Sequence, residues 1–217
     1  MRDNLHLDHE TRQHQIIDAA RDIIIEGGLA SLTVKALATR VGVTVAALYR
    51  HVRSKEEVVL LMLTDVRRSL FDAVSGATES DRVALDKLEH LLRLHLSYVE
   101  SRRGVSFVLL TEALQLGDSD ANRAARALVE DYLSLVEAIV AEGQRSGELD
   151  PEADAASAAV MFFGMVQATV TRWLFDPAAY PLNERVEEIW RLFRSAVVLR
   201  AERVPPSPAA LGRGGEG

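Results

Sequence analysis

Apolar side chains recur along this chain every three to four residues, and glycine, proline and the short capping residues Ser, Thr and Asp punctuate the recurrences. From about Glu10 to Glu26, Ile16, Ala20, Ile23 and Ile24 form one stripe, which Gly27-Gly28 ends. Val34, Leu37, Ala38 and Val41 then fall at i, i+3, i+4 and i+7 behind Thr33, a plausible N-cap. Gly42 stands where a left-handed turn needs a residue without Cβ. Val43 turns inward, and Thr44 caps a second helix whose inner face is Leu48 and Val52. Two short helices across a tight turn are the helix-turn-helix pattern, whose second helix enters a DNA major groove.

Ser54-Lys55-Glu56-Glu57 has the spacing of a capping box and opens a long helix to about Ser75, with Val58, Met62, Val66 and Leu70 inward. After a break at 76–80, helices are expected over 81–103, 105–116, 120–146, 151–175 and 182–202. Gly104, Gly117 and Gly147 separate the first four, Pro151 opens the next, and a loop with two prolines precedes the last. No strand pattern and no repeat is found. The expectation is an all-α protein of about nine helices: an N-terminal three-helix helix-turn-helix domain and a C-terminal helical bundle. The boundaries are a disordered arm at 1–9, the DNA-binding domain at 10–54, the ligand-binding and dimerisation domain at 55–203 and a flexible tail at 204–217.

Charge changes this picture in one respect. The net charge is −7, which argues against general coating of nucleic acid. Residues 1–60 nevertheless hold eight basic and eight acidic side chains, against 17 and 24 in the remainder. Lys35, Arg40, Arg50, Arg53 and Lys55 stand between Leu29 and Lys55 with no acid among them, a local positive patch that suits a site-specific binder. Cysteine is absent, which excludes disulfides and thiolate sites and fits a cytoplasmic location. MRDNLHLDHE has no apolar core and does not read as a signal peptide, and no run approaches the roughly 18 apolar residues of a membrane span.

Catalytic and metal chemistry find no foothold. Glu89, His90 and His95 lack the Glu-x-x-His and His-Glu-x-x-His spacings, so each histidine reads as a lone side chain on a surface helix. Neither a nucleophile elbow nor a phosphate-cradling glycine loop occurs, so no enzyme, cofactor or metal is expected.

VGVTVAALYRHVRSKEEVV resembles the DNA-binding signature of the tetracycline-repressor family of bacterial regulators, with Gly42, Leu48, Tyr49, Val52 and Lys55 where that family's pattern has them. The helix Ile16–Glu26 before it fits as well. The resemblance implies a homodimeric repressor on a palindromic operator, with phosphate contacts from Tyr49, His51 and Lys55. Thr33 and Lys35 are added at the edge of the patch, and Thr44, Val45, Ala46, Ala47 and Arg50 as the outward face of the reading helix. Small apolar residues there can touch a thymine methyl but make no bidentate base pair, so shape readout gains weight. Each of these could instead be a solvated or capping residue.

The family's last two long helices pair with their copies, which implies a dimer through 151–175 and 182–202, with Phe162, Val170, Trp173, Ile189, Trp190 and Phe193 as the interface. Within the family, YLSLVEAIVAEGQRSGEL and MFFGMVQATVTRWLF look most similar to fatty-acid regulators that sense acyl-CoA. That implies a small, largely apolar effector, a long-chain acyl-CoA, between the 55–75, 81–116, 120–146 and 151–175 helices. Its expected contacts are Met62, Val66, Leu92, Phe107, Leu110, Met161, Phe163 and Gln167, with Gly164 leaving room. Ordinary core is the competing reading of the same residues. An effector-independent architectural DNA-binding protein is the alternative function.

Overall fold

Thr33 and Thr44 each adopt extended backbone and accept a hydrogen bond from the N–H three residues on, Ala36 and Ala47, at 3.1 Å. They start two helices that Gly42 joins, at φ 77°, a conformation that costs little only without a Cβ. The computed structural model describes residues 2–78 and 81–198, with 2–10 by their backbone alone. Among these residues there are nine α-helices and no strand: α1 (Arg2–Gly27), α2 (Val34–Val41), α3 (Val45–Leu48), α4 (Lys55–Thr78), α5 (Ala84–Ser101), α6 (Val105–Gln115), α7 (Asp120–Ser146), α8 (Ala155–Phe175) and α9 (Leu182–Val197). A 3-10 turn at Leu29–Ser31 links α1 to α2.

Ile16, Ala20, Leu37, Leu48 and Val52 are fully or nearly buried and form the core of α1–α3. That core continues through Val58, Val59 and Met62 of α4 into the bundle of α5–α9 without a gap. The 24-residue α4 therefore belongs to both parts. Ser54 caps it, accepting from the Glu57 N–H at 3.1 Å; the Glu57 carboxylate reaches back to the Arg53 N–H, one residue earlier than a capping box requires. At the α5–α6 junction Gly104 holds φ 72°, and a Cβ there would come within 2.6 Å of Leu174 on α8.

Several boundaries differ from the expectation. α1 begins at Arg2, where an arm was expected through residue 9. Pro151 lies in a turn, and α8 starts only at Ala155 because the Asp154 side chain caps it through the Ser157 N–H at 2.9 Å. The expected tail at 204–217 lies outside the described residues. α8 is by length and composition alone apolar enough to cross a membrane, with a mean hydropathy of 1.3 over its best window, a test that core helices also pass. Here one of its sides packs against α7 and α9.

The start of α5 has no local cap. Val83 occupies the N-cap position, and Glu148, beyond the end of α7, supplies the acceptor: its carboxylate takes the Ala84 N–H at 2.8 Å and the Leu85 N–H at 3.0 Å. Orphan donors of a first turn favour an anion. Glu148→Ala is expected to lower unfolding stability by about 1–2 kcal/mol, as for loss of a helix cap, and Glu148→Gln by less. Urea denaturation reads the change, and an unaltered midpoint for Glu148→Ala would dismiss the cap.

Candidate nucleic-acid interface and effector cavity

Hydrogen bonds from Tyr49, Arg50, His51 and Val52 back to Val45, Ala47 and Leu48 extend α3 by a turn. With Leu48 and Val52 sealed in the core, this unit turns its other side outward. Thr33, Lys35, Thr44, Val45, Ala46, Tyr49 and Arg50 are exposed, and Ala47 and His51 are half-buried. The expected DNA-facing residues of α2, α3 and their flanks are thus at least partly solvent-accessible.

The positive patch is smaller than the sequence suggested, because two of its five cations are engaged within the chain. Arg40 bonds Glu26 of α1, one contact being 3.0 Å, and lies 3.9 Å from Asp22. That guanidinium holds the Glu26 carboxyl below its usual range, mainly through the hydrogen bond. Lys55, the first residue of α4, places Nζ 2.9 Å from the carboxylate of Glu112 on α6. Lys35, Arg50 and Arg53 remain exposed.

In the bundle, an inner cavity of about 20 Å³ lies between α4, α5, α6, α7 and α8. Its neighbour is a half-open groove of about 340 Å³ between α6, α7 and α8, and the two share Leu110, Val129, Phe163 and Gln167 as walls. Of the expected effector contacts, Val66, Phe107, Leu110, Phe163 and Gln167 line the inner cavity. Three do not. Met62 borders a separate void of about 10 Å³ against α1, and Leu92 is fully buried core. Met161 points outward and is 42% exposed, whereas Phe163 and Gln167 of the same helix border the groove beside α7. Gly164 is also on the outer side, with nothing within 4 Å of an added Cβ, so it leaves no room for a ligand inside.

His95 corrects another expectation. It is buried, not a surface histidine; its Nδ1 lies 2.8 Å from the Tyr132 hydroxyl and its ring edge-on to the phenol at 4.9 Å. Burial pushes the imidazole down to about 4 and the phenol up. Arg126 stands at the groove, and Arg102 covers the Tyr98 ring at 4.7 Å beside Asp65.

The expected dimer residues need the same correction. Phe162, Val170, Trp173, Trp190 and Phe193 are buried within a single chain, and Ile189 partly so; Trp190 stacks on Phe193 and Phe162 meets it edge-on. A side chain already covered has little surface left for a partner. Large apolar groups that are uncovered on these two helices are instead Val160, Met161 and Phe175 on α8 and Leu192 on α9. Val160, Gly164 and Ala168 are successive i, i+4 positions on α8 and all exposed.

Comparison with known proteins agrees with this division of labour. Residues 16–62 match the bacterial regulatory proteins of the tetR family, and residues 66–196 match the C-terminal region of YsiA-like proteins, so the join falls inside α4. The fatty acid metabolism regulator protein of Bacillus subtilis is 25% identical over 183 residues, 84% of this chain and 94% of that protein. The nucleoid occlusion factor SlmA of Aliivibrio fischeri is 26% identical over 188 residues, 86% and 95% of the two chains. The crystal structure of the regulator FadR from Bacillus subtilis in complex with stearoyl-CoA superposes with a TM-score of 0.75 at 24% identity, covering 84% of this chain and 98% of that one. A helix-turn-helix head matching one part of the family and a helical C-terminal region matching the other place this chain in the tetR family of bacterial transcriptional regulators.

Proposed function

We propose that this protein is a cytoplasmic homodimeric repressor, held on a palindromic operator by two α3 helices and released by an apolar effector, a long-chain acyl-CoA. The observation that carries the reading is the shared helix α6. Phe107, Leu110 and Leu114 face the cavity and groove, while Glu112, on the opposite side of the same helix, grips Lys55. Filling the cavity would move α6, and with it the carboxylate that competes with DNA for Lys55.

On DNA, Tyr49, Lys55, Thr33 and Lys35 are assigned to phosphates, which position the head without reading sequence. Val45, Ala46 and Arg50 are assigned to base edges. A ligand displaces the equilibrium only by its differential affinity for the two states. The acyl chain would therefore have to open the inner cavity by displacing Phe163 and Leu110. Arg126 at the groove offers positive charge to the anionic head group. A relative bound to stearoyl-CoA and one named for fatty acid metabolism support this ligand class.

A second reading, an architectural DNA-binding protein without an effector, draws on the SlmA relative and on an inner cavity of only about 20 Å³. Operator release by acyl-CoAs of graded length separates the two. Each buried CH₂ contributes ~0.8 kcal/mol, about fourfold in affinity, so release should sharpen as the chain grows from about 8 to 18 carbons. Indifference to length would sink the acyl reading.

The dimer is assigned to the stripe of Val160, Met161, Gly164, Ala168 and Phe175 with Leu192, self-complementary about a two-fold axis. Leu192, 71% exposed in one chain, can accept Glu without disturbing the fold. Leu192→Glu is expected to give folded monomers by sedimentation and to lose operator binding, whereas Trp190→Glu should unfold the chain. A Leu192→Glu dimer with unchanged operator affinity would exclude this face.

A further inference from the structure

The inner cavity is not uniformly apolar. His95 and Ser106 line it and are 6% and 8% exposed, so both are more than nine-tenths buried. Tyr132 engages only the Nδ1 of His95. Among the described residues Nε2 finds no protein partner, and neither does the Ser106 hydroxyl, yet neither atom is sealed off from accessible space. The half-buried amide of Gln167 reaches the same cavity from α8, also without a side-chain partner. Residues with hydrogen-bonding side chains on α5, α6 and α8 thus line a space that aliphatic and aromatic side chains otherwise enclose, Ser106 also bordering the smaller void against α1.

Buried polar groups are nearly always satisfied, and leaving one unmade costs affinity as well as stability. At about 20 Å³ the cavity has room for about one water, which would serve Nε2 and Ser106 together. An unbroken alkyl chain that filled the opened cavity would displace that water and return no hydrogen bond. A ligand with an oxygen at that point would replace it.

We propose that the effector carries a neutral hydroxyl at the inner end of its apolar body, seated against His95 and Ser106. This rests on the reading of the cavity as an effector site. Neutrality follows from the lining, which contains no Lys or Arg and so offers no counter-charge to a carboxylate. The cation nearest in the ligand's path, Arg126, belongs to the outer groove, which places an anionic head at the mouth and the far end of the chain at His95. A hydroxyl fits better than a ketone because it both donates and accepts. It therefore meets Nε2 in whichever tautomer the bond to Tyr132 leaves, with Ser106 taking the complementary role. The ligand class that results is an ω-hydroxylated acyl chain or a hydrophobic alcohol of similar reach.

The experiment compares ω-hydroxyacyl-CoAs with the plain acyl-CoAs of equal length, from about 8 to 16 carbons, in operator release by the full-length dimer. At the length that reaches His95, the hydroxylated ligand should act at a concentration about tenfold lower than its plain counterpart, the factor of one buried hydrogen bond. Ser106→Ala should remove several-fold of that preference, in part by sharpening the response to plain chains, which no longer strand its hydroxyl; this small change inside α6 spares the His95–Tyr132 pair. His95→Phe, read by the same ratio, covers the case in which Ser106→Ala proves too mild. Plain chains as effective as hydroxylated ones at every length would overturn the proposal alone. Release by neither series would overturn the effector reading with it.

Discussion

One uninterrupted helix, α4, runs through the continuous core and packs on both the DNA-reading head and the bundle, beside a smaller direct contact of α1 with α6. Val58 and Val59, a turn from its start, are buried with α1–α3, whereas Val66, Leu70 and Val74 are buried in the bundle. Lys55 and Val66 lie about 16 Å apart along a helix rising 1.5 Å per residue. A rigid rod of that kind transmits displacement without needing a chain of weaker contacts. Polar groups reinforce the union near its midpoint. Asp65 lies 2.8 Å from Arg68, 3.7 Å from Arg21 of α1 and 3.9 Å from Arg102 at the end of α5, while Ser69 bonds Tyr98 of α5 at 2.9 Å. The head is therefore fixed to α4 and α5 by charge as well as by apolar packing.

What the sequence disclosed was what neighbours along the chain decide. Thr33, Gly42, Thr44 and Ser54 are caps and turns whose partners lie within five residues, and each sits where its chemistry placed it. The amphipathic helices α2, α5 and α7 were legible for the same reason: one apolar stripe fixes one buried side. α8 defeated that logic. Apolar on nearly every side, it offered no sequence signal to tell Phe162 and Phe163, which face inward, from Met161, which faces out. Met161, expected at the effector, consequently lies on the exposed side of α8, and Phe162, Val170 and Trp173, expected at the dimer interface, are buried within one chain. Glu148, Glu112 and Tyr132 were missed altogether, because each acts on a residue 37 to 64 positions away. No local pattern records such a pair; an unaccompanied Val at the N-cap of α5 was the one hint that an acceptor had to arrive from elsewhere.

The head has few free charges with which to hold DNA. Arg40 is spent on the α1–α2 clamp, and Lys55 is shared with Glu112. A protein of net charge −7 in which, among the described residues of this patch, only Lys35, Arg50 and Arg53 are exposed without an ion pair depends strongly on whether Lys55 is available. That dependence gives the effector domain leverage: a shift of α6 too small to move the whole head could still change one of a handful of phosphate contacts. Half-exposed ion pairs of this kind are individually weak, which suits a contact that must exchange partners.

The direct test is operator affinity of Glu112→Gln against the parent protein, measured over a range of salt with and without a long-chain acyl-CoA, and repeated in the Lys55→Ala background. Freed of its carboxylate, Lys55 should tighten operator binding by about three- to tenfold, the acyl-CoA should loosen that complex less than it loosens the parent's, and both differences should vanish when Lys55 is absent. Unchanged operator affinity together with an unchanged acyl-CoA response in Glu112→Gln would contradict the coupling of cavity to DNA through α6 and Lys55.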